Sequence, residues 1–179
     1  IISMMKAAKV FEGEHDFSNF CKMNVAEVSN FKREIYNSSI VEFISNTVDP
    51  GRSVFMLQIE GVAFLWHMVR CIMAVLFLIG EKREEINIVS ELLDLTKTPA
   101  KPIYNMAPEI PLVLHDSSYD NLNLKWTPKI LWSLTGHYES LYEKHAIAAA
   151  QALNSIEFVK SRAMRLKDIK NFPQIMGLK

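Results

Sequence analysis

The apolar positions of the chain follow two rhythms, one near the helical period and one of period two, and the places where they change mark its elements. Across residues 3–11 (SMMKAAKVF), Met4, Ala8 and Phe11 share a helical face and Gly13 follows as a stop, which predicts a short helix. Residues 14–22 (EHDFSNFCK) lose the rhythm and read as a polar-aromatic loop. Residues 31–44, rich in Ile, Tyr, Val and Phe, predict a strand with imperfect alternation. Asp49-Pro50-Gly51, within residues 45–53, is a strong turn signal. Beyond it Phe55, Leu57 and Ile59 alternate with Met56, Gln58 and Glu60, the pattern of a half-buried strand, so the two strands are expected to pair as an antiparallel hairpin. Gly61 breaks the strand. Residues 64–79 (FLWHMVRCIMAVLFLI) are apolar on all faces and predict a buried helix that Gly80 ends. Residues 84–95 predict an amphipathic helix with Glu84 and Glu85 at its positive end and Ile86, Val89 and Leu93 facing inward. Pro99 and Pro102 mark a loop, and residues 110–116 (IPLVLHD) read as a last strand. Residues 137–158 predict a long helix with Tyr138, Leu141, Tyr142, His145, Ala149, Ala152 and Ile156 on one stripe. This order implies an α+β fold of two layers, with helices on one face of an antiparallel sheet.

Composition narrows the class. With 49% hydrophobic and 22% charged residues the chain is of ordinary globular make-up. Lys plus Arg and Asp plus Glu both count 20, which excludes a uniformly polycationic coat for nucleic acid but leaves room for a local basic face. Such a face is suggested by Lys160, Arg162, Arg165, Lys167 and Lys170, set against Asp168 alone; the other reading is a solvated helix end. The two cysteines exclude a disulfide scaffold and point to a reducing compartment. The opening Ile-Ile-Ser-Met-Met-Lys has no signal-peptide layout and reads as the middle of a longer protein. Residues 64–79 are the one candidate for a membrane span, but they fall short of the roughly 20 residues a bilayer needs and carry His67 and Arg70, so a buried helix is expected and no membrane.

Arg70 is the most informative single residue. It interrupts an otherwise apolar helix, and a guanidinium cannot escape burial by giving up its proton. Buried unpaired, it would cost several kcal/mol. It therefore needs an anion, and His67 lies one turn earlier on its face. A structural salt bridge, or a guanidinium reaching the edge on its stem, satisfies the same demand as a functional site. His15-Asp16 is a second candidate, although an Asp there equally suits a turn or cap. His115, His137 and His145 lack the spacing of metal ligands, and no glycine-rich nucleotide motif occurs, so neither a metal nor a nucleotide cofactor is expected.

Three segments, in order, carry a resemblance. Residues 11–22 (FEGEHDFSNFCK), 61–80 (GVAFLWHMVRCIMAVLFLIG) and 106–114 (MAPEIPLVL) resemble the G-x-H-D-F, F-L-x-H-M-V-R and A-P-E-x-L-x-L motifs of eukaryotic tRNA pseudouridine synthases. Cys21-Lys22 and the wording of the third segment resemble the subgroup acting on positions 38 and 39 of the anticodon stem-loop. The resemblance implies the pseudouridine synthase fold and a cofactor-free isomerisation of uridine. The family's catalytic aspartate belongs to an R-T-D-x-G-V motif, which these 179 residues do not contain. The chain is therefore expected to be the C-terminal half of the catalytic domain, with a core over residues 5–118 and a helical, basic extension over 119–179. The matching arginine, Arg70, would be catalytic and pair with an aspartate outside this chain. Phe64 and Leu112 would line the pocket of the flipped base, with His67 beside them. Lys22 would touch phosphate, and His15 and Asp16 would shape the cleft wall. The implied partners are tRNA and the N-terminal half of the domain, with a homodimer left open, in the cytoplasm or nucleus. A non-catalytic RNA-binding or regulatory relative of the same fold is the alternative.

Overall fold

A computed structural model describes residues 1–22, 29–44, 53–119 and 125–165, with side chains through Arg162. It divides into two compact units, residues 1–115 and 116–179.

In the first unit, helix α1 (Ile2–Lys9) leads into strand β1 (Gly13–Asp16) and a short 3₁₀ turn (Ser18–Phe20). Strands β2 (Lys32–Ile44) and β3 (Val54–Gly61) follow, then helices α2 (Met68–Gly80) and α3 (Ile88–Leu93). The sheet is antiparallel in the order β1-β2-β3. The α+β expectation and the pairing of the two long strands hold; the Asp49-Pro50-Gly51 turn lies outside the described residues.

The uneven alternation of β2 has a physical cause. Ile35 faces Gly61 but Asn37 faces Glu60, so Tyr36 is an extra residue bulged out of the ladder, and a second irregularity lies between Glu42 and Ile44. The bulge moves the inward set from Ile35 to Ser38 and Ile40, all buried. Gly61 is needed where it pairs: a Cβ there would stand 2.6 Å from the Glu34 carbonyl oxygen. On the covered face, Ala7 and Ala8 let α1 approach closely, and Ile35, Ile40, Cys71, Ile72, Val75, Leu76 and Val89 join one core. Phe11, Phe17 and Phe20 pack within it, with ring centroids 5.1–6.3 Å apart.

Four sequence expectations need correction. Residues 14–22 are not all loop, because β1 pairs with residues 32–35. The helix of residues 64–79 starts only at Met68, since His67 sits at φ 60°, outside the helical region, and Phe77 is exposed on its far side. The helix of residues 84–95 shrinks to Ile88–Leu93, so Glu84 and Glu85 precede it instead of opening it. Residues 110–116 form no strand: they have no partner among the described residues, and their apolar side chains face solvent.

The second unit contains α4 (Pro128–Arg165), which begins nine residues before the expected start at 137. Thr127 caps it, its Oγ1 accepting the Ile130 N–H at 3.4 Å, and Pro128 occupies the first helical position, where a missing N–H costs nothing. Gly136 does not break it, and a Cβ there would meet nothing within 4 Å. Among the described residues no helix is long and apolar enough to cross a membrane.

Candidate functional site

The first turn of α2 meets an irregular segment, residues 98–109, and Arg70 is the joint. Its side chain is 16% exposed. Its Nε–H donates to the Ala107 carbonyl oxygen at 2.8 Å, while the Ala107 N–H donates back to the Arg70 carbonyl oxygen at 3.3 Å. Nη2 meets Glu109 Oε2 at 3.0 Å, and Nη1 lies 3.5 Å from His67 Nδ1. The chain thus carries a carboxylate for its buried cation, on a side chain that is itself 71% exposed. Sequence reasoning missed Glu109. The signal was the A-P-E segment, which sets a carboxylate two residues beyond an alanine, but nothing in spacing ties that alanine to Arg70, 37 residues earlier.

Of the expected site residues, the fold brings together Arg70, His67 and Lys22. His67 is partly buried and ends the turn before α2. Burial, and then the positive charges of Arg70, Lys22 and Lys101, push its imidazole pKa below the ordinary 6.5, with Glu109 opposing them. A neutral imidazole suits its contact, since Arg70 can only donate and Nδ1 must accept. Lys22 is tied in through its backbone, whose N–H donates to the Trp66 carbonyl oxygen at 3.1 Å.

Phe64 and Leu112 are 40% and 49% exposed, so neither belongs to the core. His15 and Asp16 do not form an acid–base pair. His15 Nε2 lies 2.8 Å from the Glu12 carbonyl oxygen, and Asp16 Oδ1 accepts the Ser18 N–H and hydroxyl at 2.9 and 2.6 Å. Asp16 thereby closes a local turn that leads into the 3₁₀ segment, a structural role its residue type allowed.

Further pins hold the segment opposite Arg70. Asn19 Nδ2, almost fully buried, donates to the carbonyl oxygens of Leu92 and Thr98 at 2.9 and 2.8 Å. The Tyr104 hydroxyl donates to the Asn19 carbonyl oxygen at 2.7 Å. Burial, reinforced by Cys71 and Cys21, pushes its pKa up and keeps the donor proton in place. Lys101 Nζ donates to the Cys21 carbonyl oxygen at 2.8 Å and to Cys71 Sγ at 3.3 Å. Among the described residues no three His, Cys, Asp or Glu side chains gather into a group that could hold a metal ion. What the arrangement offers is a fixed guanidinium with lysines beside it, suited to a carboxylate or a phosphate.

Residues 7–120 match the family model described as tRNA pseudouridine synthase. A relative from Bos taurus named tRNA pseudouridine(38/39) synthase is 37% identical over 169 residues, covering 92% of this chain and 35% of its own length. The tRNA pseudouridine(38/39) synthase of Saccharomyces cerevisiae is 43% identical over 124 residues, or 69% of this chain and 26% of the relative. A tRNA pseudouridine synthase A from Archaeoglobus fulgidus is 35% identical over 125 residues, or 70% of this chain and 43% of the relative. The chain spans about a third of the length of the eukaryotic relatives it matches.

Proposed function

Because the chain belongs to the tRNA pseudouridine synthase family, we propose that it forms the C-terminal half of a catalytic domain that isomerises uridine to pseudouridine at positions 38 and 39 of the tRNA anticodon stem-loop. The positions follow from the names of its relatives. The reaction breaks the bond between C1′ and N1 of uridine, turns the base, and joins C1′ to C5. C5 gives up a proton and N1 gains one, so electrons balance without a redox cofactor.

The observation that carries this reading is Arg70. Its Nε–H is taken by the Ala107 carbonyl and its Nη1 faces His67, while Nη2 is ion-paired with Glu109, so the five donors of the guanidinium are not all spent within this chain and some remain for a group from elsewhere. In the proposed enzyme that group is the catalytic aspartate of the N-terminal half. A cation in contact favours the ionised carboxylate, the form the aspartate needs. Phe64 and Leu112, exposed apolar side chains, offer the flipped uracil a surface. Lys22 offers charge to a phosphate, His67 flanks the guanidinium, and His15 and Asp16 shape the wall through their turn. The partners are tRNA and the N-terminal half, with a homodimer as a further assembly, in the cytoplasm or nucleus.

Arg70→Ala in the whole protein is expected to abolish pseudouridine formation on an anticodon stem-loop while leaving most RNA binding intact. Arg70→Lys should not restore activity, because an ammonium cannot present a planar fork. Wild-type turnover by Arg70→Ala would overturn the proposal. Purified residues 1–179 alone should form no pseudouridine, and measurable product from them would overturn the placement of the aspartate.

A further inference from the structure

Trp66 stands beside this site with its indole 59% exposed. Its immediate flank does not explain that exposure. Leu65 before it and Met68 just after it are both buried in the core, so apolar cover is available within a residue or two. The backbone instead turns the indole outward, at the expense of a left-handed His67. A non-glycine residue held there costs on the order of 1–3 kcal/mol, and such residues cluster where a ligand is bound.

The exposed indole is anchored. The His67 ring lies against it, with centroids 4.3 Å apart and planes inclined at 33°. The Trp66 backbone carbonyl oxygen accepts the Lys22 N–H at 3.1 Å. His67 Nδ1 in turn lies 3.5 Å from Arg70 Nη1. Indole, imidazole and guanidinium therefore form one continuous row from solvent to the half-buried cation. A flat π surface next to His67, which feels the charges of Lys22 and Arg70, suits a ligand that is flat and aromatic at one point and anionic at the next. A nucleotide of single-stranded RNA has that chemistry.

We propose that Trp66 is a stacking platform for a nucleobase flanking the uridine that reacts. The inference rests on the proposed function and adds a base-binding subsite to it. The imidazole separates the indole from the guanidinium, which is why the platform serves a neighbouring base and not the reacting one.

The test uses the whole protein and an anticodon stem-loop, read by equilibrium binding and by single-turnover rate at saturating RNA. Base–aromatic stacking is worth enough for Trp66→Ala to weaken binding on the order of tenfold, with a smaller change in the saturated rate. Trp66→Phe should keep most of the affinity, and Trp66→Leu, apolar without a π face, should behave like Trp66→Ala. Abasic substitutions walked along the nucleotides flanking the target supply the coupling. One of them should weaken wild-type binding and have no further effect on Trp66→Ala. Equal affinity of Trp66→Ala and wild type for the intact loop would overturn the proposal. So would an equal loss against every abasic RNA, since that marks a merely structural residue. If wild-type protein binds the loop no better than an unrelated RNA, the function itself fails and the platform with it.

Discussion

His67 concentrates two unfavourable terms in one residue, a left-handed backbone and an imidazole that burial and neighbouring cations resist charging. Well above pH 6.5 the imidazole is neutral in folded and unfolded chains alike. As pH falls, the unfolded chain takes the proton first, so the native state is destabilised progressively as pH drops through the lowered native value. The His67 ring protons, followed by NMR, should titrate with a midpoint below 6.5, and Arg70→Met should move that midpoint up by removing the strongest of the neighbouring positive charges. A wild-type midpoint at or above the ordinary value would contradict the description of the site. At this scale the sequence was half legible. A charge on an apolar helix demanded an anion, and that alone singled out Arg70. It could not reveal Glu109 and Ala107, because their contact with Arg70 depends on how a loop returns to α2, which no local period records.

Elements were legible where they are long and where their partners lie in the same chain. β2 and β3 alternate and pair, β2 burying Ile35, Ser38 and Ile40 while Leu57 and Ile59 of β3 pack only partly against the core, and the stumble in the alternation is the Tyr36 bulge. β1 was missed because four residues are too few for a rhythm, and its pairing with β2 decides it. Residues 110–116 erred the other way: their composition suits a strand, but a strand exists only against a partner. Asn19 shows how side chains take over where ladders end, since its amide satisfies carbonyls at the end of α3 and in the loop beyond. Asn19→Ala would take a donor from one buried and one partly buried acceptor, at an expected cost of about 1–3 kcal/mol. Urea denaturation of the whole protein should show that loss as a lower midpoint at unchanged slope. An unchanged midpoint would mean that water replaces the amide at no cost.

For the molecule as a whole, the order of three motifs made family and fold class readable before any geometry, while the interfaces stayed hidden. In the first unit Ile110, Val113 and Leu114 lie mostly exposed, and in the second α4 exposes Trp132, Tyr138, Tyr142 and Phe158. Large exposed apolar side chains crowded into one segment, as at residues 110–114, are typical of interaction sites. With equal numbers of acidic and basic residues, net charge does little to keep copies apart. The 179-residue chain alone should therefore self-associate with rising concentration in sedimentation velocity, and Val113→Asp with Leu114→Asp should shift it toward monomer. A single monomer boundary at every concentration would refute this. The 38 residues of α4 have a further consequence. At 1.5 Å per residue the rod is about 57 Å long, nearly twice the diameter of a small domain. One compact neighbour cannot sheathe it from end to end; only something equally elongated, such as a second rod or a duplex of nucleic acid, could run its full length.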